Sequence, residues 1–141
     1  MKLLLVHAES FSYEARIKST SLAESLDEVP ASASFDNVVV AFVSVETRDA
    51  KDLDAVVSRA SDAIVDIVEK VGADRVLIYP FKYLSPALAP PRVFLRALKM
   101  LEEHVARRGV KAARAPFGWY KRFYVRCRNH PLAEVTIEIR A

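Results

Sequence analysis

Apolar and polar positions divide this chain into a series of periodic segments. Residues 2–9, KLLLVHAE, form a continuous apolar run, the pattern of a central strand. Residues 11–19 alternate: Phe11, Tyr13, Ala15 and Ile17 share one face, Ser12, Glu14, Arg16 and Lys18 the other. This predicts a half-exposed strand paired with the first. Residues 21–34 keep no period and read as a loop, while the β-branched run 35–46 reads as another buried strand. Leu53, Val56, Val57, Ala60, Ile64, Ile67, Val68 and Val71 then recur at helical spacing. Asp49 or Asp52 is placed to cap that helix, and Gly72 to end it. Residues 74–80 form a strand stopped by Pro80. A second helix follows from about Pro91 to Arg108, with Phe94, Leu98, Leu101 and Val105 as its stripe. Residues 110–114, 119–128 and 133–140 complete the set as strands. The order β-β-β-α-β-α-β-β-β predicts a single α/β domain over 1–141, with a mixed β-sheet and two main helices.

One strand breaks its own pattern. In WYKRFYVRCR, Trp119, Lys121, Phe123, Val125 and Cys127 share the apolar face, opposite Tyr120, Arg122, Tyr124, Arg126 and Arg128. An unpaired buried ammonium costs several kcal/mol, so Lys121 requires a partner or a wet cavity. Glu134 is the nearest acid and lies on the next strand; the turn RNHP between them predicts an antiparallel hairpin and a Lys121–Glu134 pair. A lysine that snorkels out along its stem fits the pattern equally.

Composition narrows the class. With 52% hydrophobic residues and 3 glycines in 141, the chain can bury a core and is no disordered or collagen-like sequence. A single cysteine, Cys127, excludes an internal disulfide and fits a reducing cytosol, hence a cytoplasmic protein. The apolar run Leu3–Val6 is too short for a signal sequence or a membrane span.

Charge is asymmetric. Residues 1–74 carry 7 Lys+Arg against 14 Asp+Glu, whereas residues 75–141 carry 14 against 4. Between Glu103 and Glu134 there is no acid; aromatic residues interleave with arginines and lysines there. Such a field suits a phosphate backbone and stacked bases, and equally suits a solvated face.

No G-x-G-x-x-G or Walker-type sequence occurs, so neither a nucleotide cofactor nor a metal is expected. Cys127 and His130 at C-x-x-H spacing lack a second pair for zinc, and Cys127 reads as core. Ser44 and Ser85 have no His/Asp partner at a known spacing. Two segments leave strands irregularly, YPFKYLS (79–85) and APFGWYK (115–121). Strand ends of this kind expose backbone N–H and C=O groups and make ligand pockets.

Taken in order, LLLVHAE, VAFVSVE, YPFKYLS, APFGWYKRF and HPLAE resemble the N-terminal editing domain of archaeal threonyl-tRNA synthetase over essentially the whole chain. The resemblance implies a D-aminoacyl-tRNA deacylase-like fold, a homodimer, and hydrolysis of L-serine mistakenly attached to threonine tRNA. Catalytic and anticodon-binding modules normally follow; their lack here suggests an excised domain or one part of a split system.

The resemblance also implies site residues. Lys121, after Tyr120, stands where the family's amino-acid-sensing and water-positioning lysine stands, and Glu134 matches its acidic partner. Backbone around Val45, Pro80, Phe81 and Lys82 corresponds to the groups holding the ester and terminal adenosine. Ala115, Pro116, Phe117 and Gly118 match the loop around base and sugar. Tyr83 replaces the histidine of many relatives; a phenol can hold water but is a poor base at neutral pH. Two other readings stay open. One is a D-aminoacyl-tRNA deacylase, whose Ser-Gln-Phe-Thr and Gly-Pro motifs are missing. The other is a non-catalytic tRNA-binding module.

Overall fold

In the computed structural model, which describes residues 1–141, the elements are β1 (Lys2–Lys18), β2 (Ser32–Ser44), a 3-10 turn (Thr47–Asp52) and α1 (Leu53–Val71). They continue with β3 (Arg75–Pro80), α2 (Pro91–Arg107), β4 (Ala112–Arg114), β5 (Trp119–Cys127) and β6 (Glu134–Glu138). Both helices follow the expected stripes. Asp52 caps α1 by accepting from Ala55 N–H at 3.2 Å, and Gly72 closes it in the left-handed region at φ 69°. α2 starts on Pro90 and Pro91, and the Arg108 guanidinium donates back to His104 O at 3.0 Å.

Two strand expectations are corrected. Residues 2–9 and 11–19 do not pair with each other; they are one continuous strand of 17 residues, antiparallel to β2. Residues 119–128 and 133–140 do not form a hairpin either. β5 and β6 both pair with β1, end to end along its other edge. His7 spans the join, its N–H donating to Ala133 O (2.8 Å) and its C=O accepting from Arg128 N–H (2.9 Å).

The sheet order is β4-β3-β2-β1-β5, with β6 beside β1. β2, β3 and β4 run parallel, so Ser44, Pro80 and Arg114 end at one edge of the sheet. The helices cover one face, where Leu3, Leu5, Val39, Ala41, Val43, Val76 and Ile78 pack on α1 and α2.

The other face holds a second cluster of Val6, Ala8, Phe11, Tyr13, Val38, Val40, Phe42, Leu77 and Tyr79. No helix covers it; the sheet curls over itself instead. Tyr79 on β3 and Phe123 on β5 are three strand spacings apart, roughly 14 Å in a flat sheet. Their ring centroids are 5.6 Å apart. The curl begins where Glu9 of β1 lies opposite Asn37 of β2, which takes a left-handed φ of 45°. Register shifts of β1 against β5 between Ala8 and Ser10, and again between Ala15 and Ile17, add bend.

Candidate functional site

Parallel strands send their following loops to one edge, and in open α/β sheets ligands bind at such carboxyl ends. Here the segments after β3 and β4 meet the start of β5 brought over by the curl. Between them lies a cleft of about 310 Å³. Tyr79, Pro80, Phe81, Lys82 and Tyr83 form one wall; Phe117, Gly118, Trp119, Tyr120, Lys121 and Phe123 form the other. The start of α2, at Pro91 and Phe94, closes the end.

Lys121 is the polar centre of this cleft. Its Nζ donates to Pro116 O (2.8 Å) and Trp119 O (3.1 Å) and lies 5.1 Å from the Tyr79 ring centroid. An ammonium has three donors, so one remains without a protein partner. Burial pulls its pKa down to about 8, against the opposing pull of Glu24. The apolar face therefore carries an ammonium because two backbone carbonyls and an aromatic ring receive it there.

The expected Lys121–Glu134 pair is absent. Glu134 sits beside Cys127, whose Sγ is 3.7 Å from its Oε1. Both residues line a second hollow of about 260 Å³ with Leu4, Val6, Phe42 and Val125. Phe81 and Phe123 form the partition, lining both spaces. Cys127, read from the sequence as core, is exposed. Its thiol is pushed up by burial of the sulfur and by the neighbouring Glu134 carboxylate.

Other predicted residues distribute around the cleft in distinct roles. Tyr83 and Tyr120 are exposed at its mouth, where Lys82 Nζ lies 5.4 Å and 5.6 Å from their ring centroids. Val45, Ala115 and Pro116 are buried behind the lining. Val45 O accepts from Ala89 N–H (2.9 Å) and Ala115 N–H donates to Ile78 O (2.9 Å), so these two shape the walls. Phe81 spends both backbone groups on the fold, donating to Val43 O and accepting from the Ser44 hydroxyl. Ser44 and Ser85 thus prove structural; Ser85 Oγ donates to Glu46 Oε2 at 2.7 Å.

The basic field is also more committed than its sequence suggests. Arg108, Arg114, Arg122 and Arg126 pair with Asp62, with Glu24 and Glu102, with Glu14 and with Glu9. Lys82 lines the cleft, and Lys18 lies 5.7 Å from the centroid of the lining Trp119 ring.

The segments 79–85 and 115–121 singled out in the sequence bring Tyr79 and Trp119 to the lining, whereas sequence reasoning missed Ser19 and Thr20, and it missed Glu24 altogether. Glu24 is buried in the irregular segment between β1 and β2, and the segment 19–24 clasps the 115–119 loop. Ser19 N–H donates to Gly118 O (2.8 Å), and Glu24 N–H to Phe117 O (2.9 Å). Gly118 adopts φ 84°, and a Cβ there would lie 2.7 Å from Ala23 Cα. Only glycine fits that approach.

Comparison with known proteins agrees with this architecture. The family described as the archaea-specific editing domain of threonyl-tRNA synthetase matches residues 1–139. The threonine–tRNA ligase of Thermofilum pendens is 47% identical over 140 residues, covering 99% of this chain and 23% of that protein. That of Methanothrix thermoacetophila is 41% identical, covering 99% and 22%. The chain thus spans less than a quarter of the length of these relatives. Among solved structures, the c-Myc DNA unwinding element binding protein superposes over 100% of both chains with a TM-score of 0.71 at 9% identity. That likeness shows the fold, a D-aminoacyl-tRNA deacylase-like arrangement, and nothing of the activity. No helix is long and apolar enough to cross a membrane. With a family match along nearly the whole chain, this protein belongs to the archaea-specific editing domains of threonyl-tRNA synthetase, an aminoacyl-tRNA synthetase proofreading module of translation.

Proposed function

We propose that the domain hydrolyses L-seryl-tRNA(Thr), releasing serine and free tRNA, with the cleft at Lys121 as its active site. The observation that carries this reading is the Lys121 ammonium, held by Pro116 O and Trp119 O with one donor left for a ligand in the cleft. A synthetic pocket built for threonine cannot strongly reject serine, since one methyl is worth about 1–3 kcal/mol. A second, narrower site that admits the hydroxymethyl side chain and crowds out the methyl supplies the missing discrimination. In this reading the ammonium addresses the serine hydroxyl or the attacking water. Phe117, Gly118 and Trp119 flank the terminal nucleoside, and Lys82 meets its phosphate.

Hydrolysis needs little beyond orientation, because the ester is already activated. Water attacks the carbonyl carbon, the bond to the ribose 3′-oxygen breaks, and that oxygen takes up a proton as serine leaves. The phenols of Tyr83 and Tyr120 hold water but are weak bases at neutral pH. The 2′-hydroxyl of the terminal ribose therefore orients and activates the water. No step is assigned to Glu134, which lies beyond the Phe81–Phe123 partition. In this reading the domain works as a homodimer, and threonine tRNA and the remaining synthetase modules, in cis or in trans, are its other partners.

Deacylation rates of L-seryl-, L-threonyl- and D-aminoacyl-tRNA test the substrate assignment. Rapid loss of L-serine alone is expected. Preferential loss of D-amino acids would make the domain a D-aminoacyl-tRNA deacylase, and no loss would make it a binding module. A terminal 2′-deoxy substrate hydrolysed at the normal rate would remove the ribose hydroxyl from the mechanism.

A further inference from the structure

One buried charge stands behind the cleft without lining it. Glu24 is 5% exposed and lies in the segment joining β1 to β2. Its grip on the loop after β4 is double. Its backbone N–H donates to Phe117 O (2.9 Å), while its C=O accepts from Trp119 Nε1–H (2.8 Å). Its carboxylate accepts from Phe117 N–H (3.0 Å) and from two nitrogens of Arg114. Of the two residues whose carbonyls hold Lys121, Pro116 directly precedes the Phe117 that Glu24 fastens, and Trp119 is bonded to Glu24 through its indole.

Charge bookkeeping points the same way. Arg114 donates its remaining arm to Glu102 of α2 at 2.6 Å, so one guanidinium sits between two carboxylates. With both carboxylates ionised that triad carries −1, although burial pushes the Glu102 carboxyl up, and the Lys121 ammonium on which Glu24 acts carries +1. In a dry interior such charges are poorly screened and their balance matters.

We propose that Glu24 is a positioning residue for Lys121, fixing the two carbonyls that receive the ammonium and supplying the negative charge that balances it. This rests on the reading of Lys121 as the group that meets the substrate. Glu24 itself neither bonds Lys121 nor lines the space the substrate would fill, and acts through the loop. The sign is consistent with the pull on Lys121: Glu24 favours its charged form against the opposing effect of burial. The other titratable groups lining the cleft are Tyr79, Lys82, Tyr83 and Tyr120. On the strand next to β5, Glu14 is engaged with Arg16 and Arg122.

The test is an NMR titration of the lysine side chains in the intact chain, with Lys121 assigned from a Lys121→Arg spectrum. In Glu24→Gln the Lys121 midpoint is expected to fall by about one pH unit. The alkaline limb of the deacylation rate is expected to move with it. Glu102 bonds Arg114 and makes no hydrogen bond to the 115–119 loop, and Glu102→Gln is expected to shift the midpoint in the same direction by less. A merely structural Glu24 would lower the rate evenly at all pH values and leave the Lys121 midpoint where it was, which overturns the proposal. Should Glu24→Gln fail to fold, Glu102→Gln decides alone, and an unmoved midpoint there overturns it too. The titration needs no substrate, so a wild-type chain inactive on seryl-tRNA would refute the proofreading reading while leaving the charge coupling measurable.

Discussion

The Lys121 ammonium lies 5.1 Å from the centroid of the Tyr79 ring, although their strands are three spacings apart in the sheet. The curl that brings β5 over β3 creates both the cleft and the burial of this charge. The residue is therefore held at a cost to the fold. Lys121→Met keeps the length of the side chain and removes the charge. It is expected to raise stability by about 1–3 kcal/mol in urea or thermal unfolding at pH 7, since replacing a buried ion with an apolar group of similar volume is commonly stabilising. The same variant is expected to lose serine deacylation. Unchanged stability together with unchanged serine removal would take Lys121 out of the account.

The pH dependence follows from the same burial. Lys121 titrates near 8 in the folded chain, below the ordinary lysine range of the unfolded one. The folded state sheds the proton first, so between about 8 and that range the unfolded state binds more protons and stability rises with pH. The difference in unfolding free energy between wild type and Lys121→Met, measured from pH 7 to 10, isolates this term, and the gap is expected to narrow as pH rises. Activity runs the other way. The protonated form is the donor, so the deacylation rate is expected to fall as pH climbs through about 8.

Gly118 carries the clasp of the 19–24 segment on the cleft loop. At φ 84°, and with Ala23 Cα 2.7 Å from where a Cβ would stand, Gly118→Ala adds both backbone strain and a clash with main chain. A loss of about 1–3 kcal/mol is expected in equilibrium unfolding. Serine deacylation is expected to drop further than stability alone explains, because Pro116 O and Trp119 O would shift from Lys121. A Gly118→Ala chain as stable and as active as wild type would refute the close approach.

The second hollow has its own consequence. Phe123 and Val125 are exposed beside Leu4, Val6 and Phe42 on a face that no helix covers. Apolar patches of this kind mark association surfaces, and a second copy of the chain is the occupant expected here. Val125→Asp is expected to convert a dimer to a monomer in sedimentation velocity with the fold intact by circular dichroism. A wild-type chain that sediments as a monomer at tens of micromolar would contradict it.

Much of this was legible in the sequence, and the failures are instructive. The helices were clear because Leu53 to Val71 and Phe94 to Val105 keep one apolar stripe each against a single face. The sequence reads β1 as two strands because its faces exchange parity. Val6 and Ala8 share a cluster with Phe11 and Tyr13, and on β2 Val38 and Val40 share it with Phe35 and Ala33. The exchange happens at Glu9 and Asn37, where β2 takes a left-handed φ and β1 shifts register against β5. Period-two reasoning takes such a kink for a strand end.

The hairpin expectation failed for a related reason. A strand of 17 residues offers enough edge for β5 and β6 to lie in line, so Lys121 lies against Ala15 near one end of β1 and Glu134 against Val6 near the other. Lys121 itself was conspicuous because it interrupts an apolar face. Glu24 was not, because residues 21–34 have no period against which a buried acid stands out. Only the long-range contact with Arg114 and Phe117 reveals it.

The central claim is that the cleft at Lys121 receives a seryl ester and meets it with the free donor of the ammonium. A crystal structure with a non-hydrolysable seryl-3′-aminoadenosine tests it most directly. The account predicts the nucleoside between Phe81 and the Phe117–Trp119 loop, with Lys121 Nζ within hydrogen-bonding distance of the seryl hydroxyl or of a water facing the carbonyl. A ligand seated elsewhere, or one whose seryl group leaves Nζ bonded to Pro116 and Trp119 alone, would contradict it.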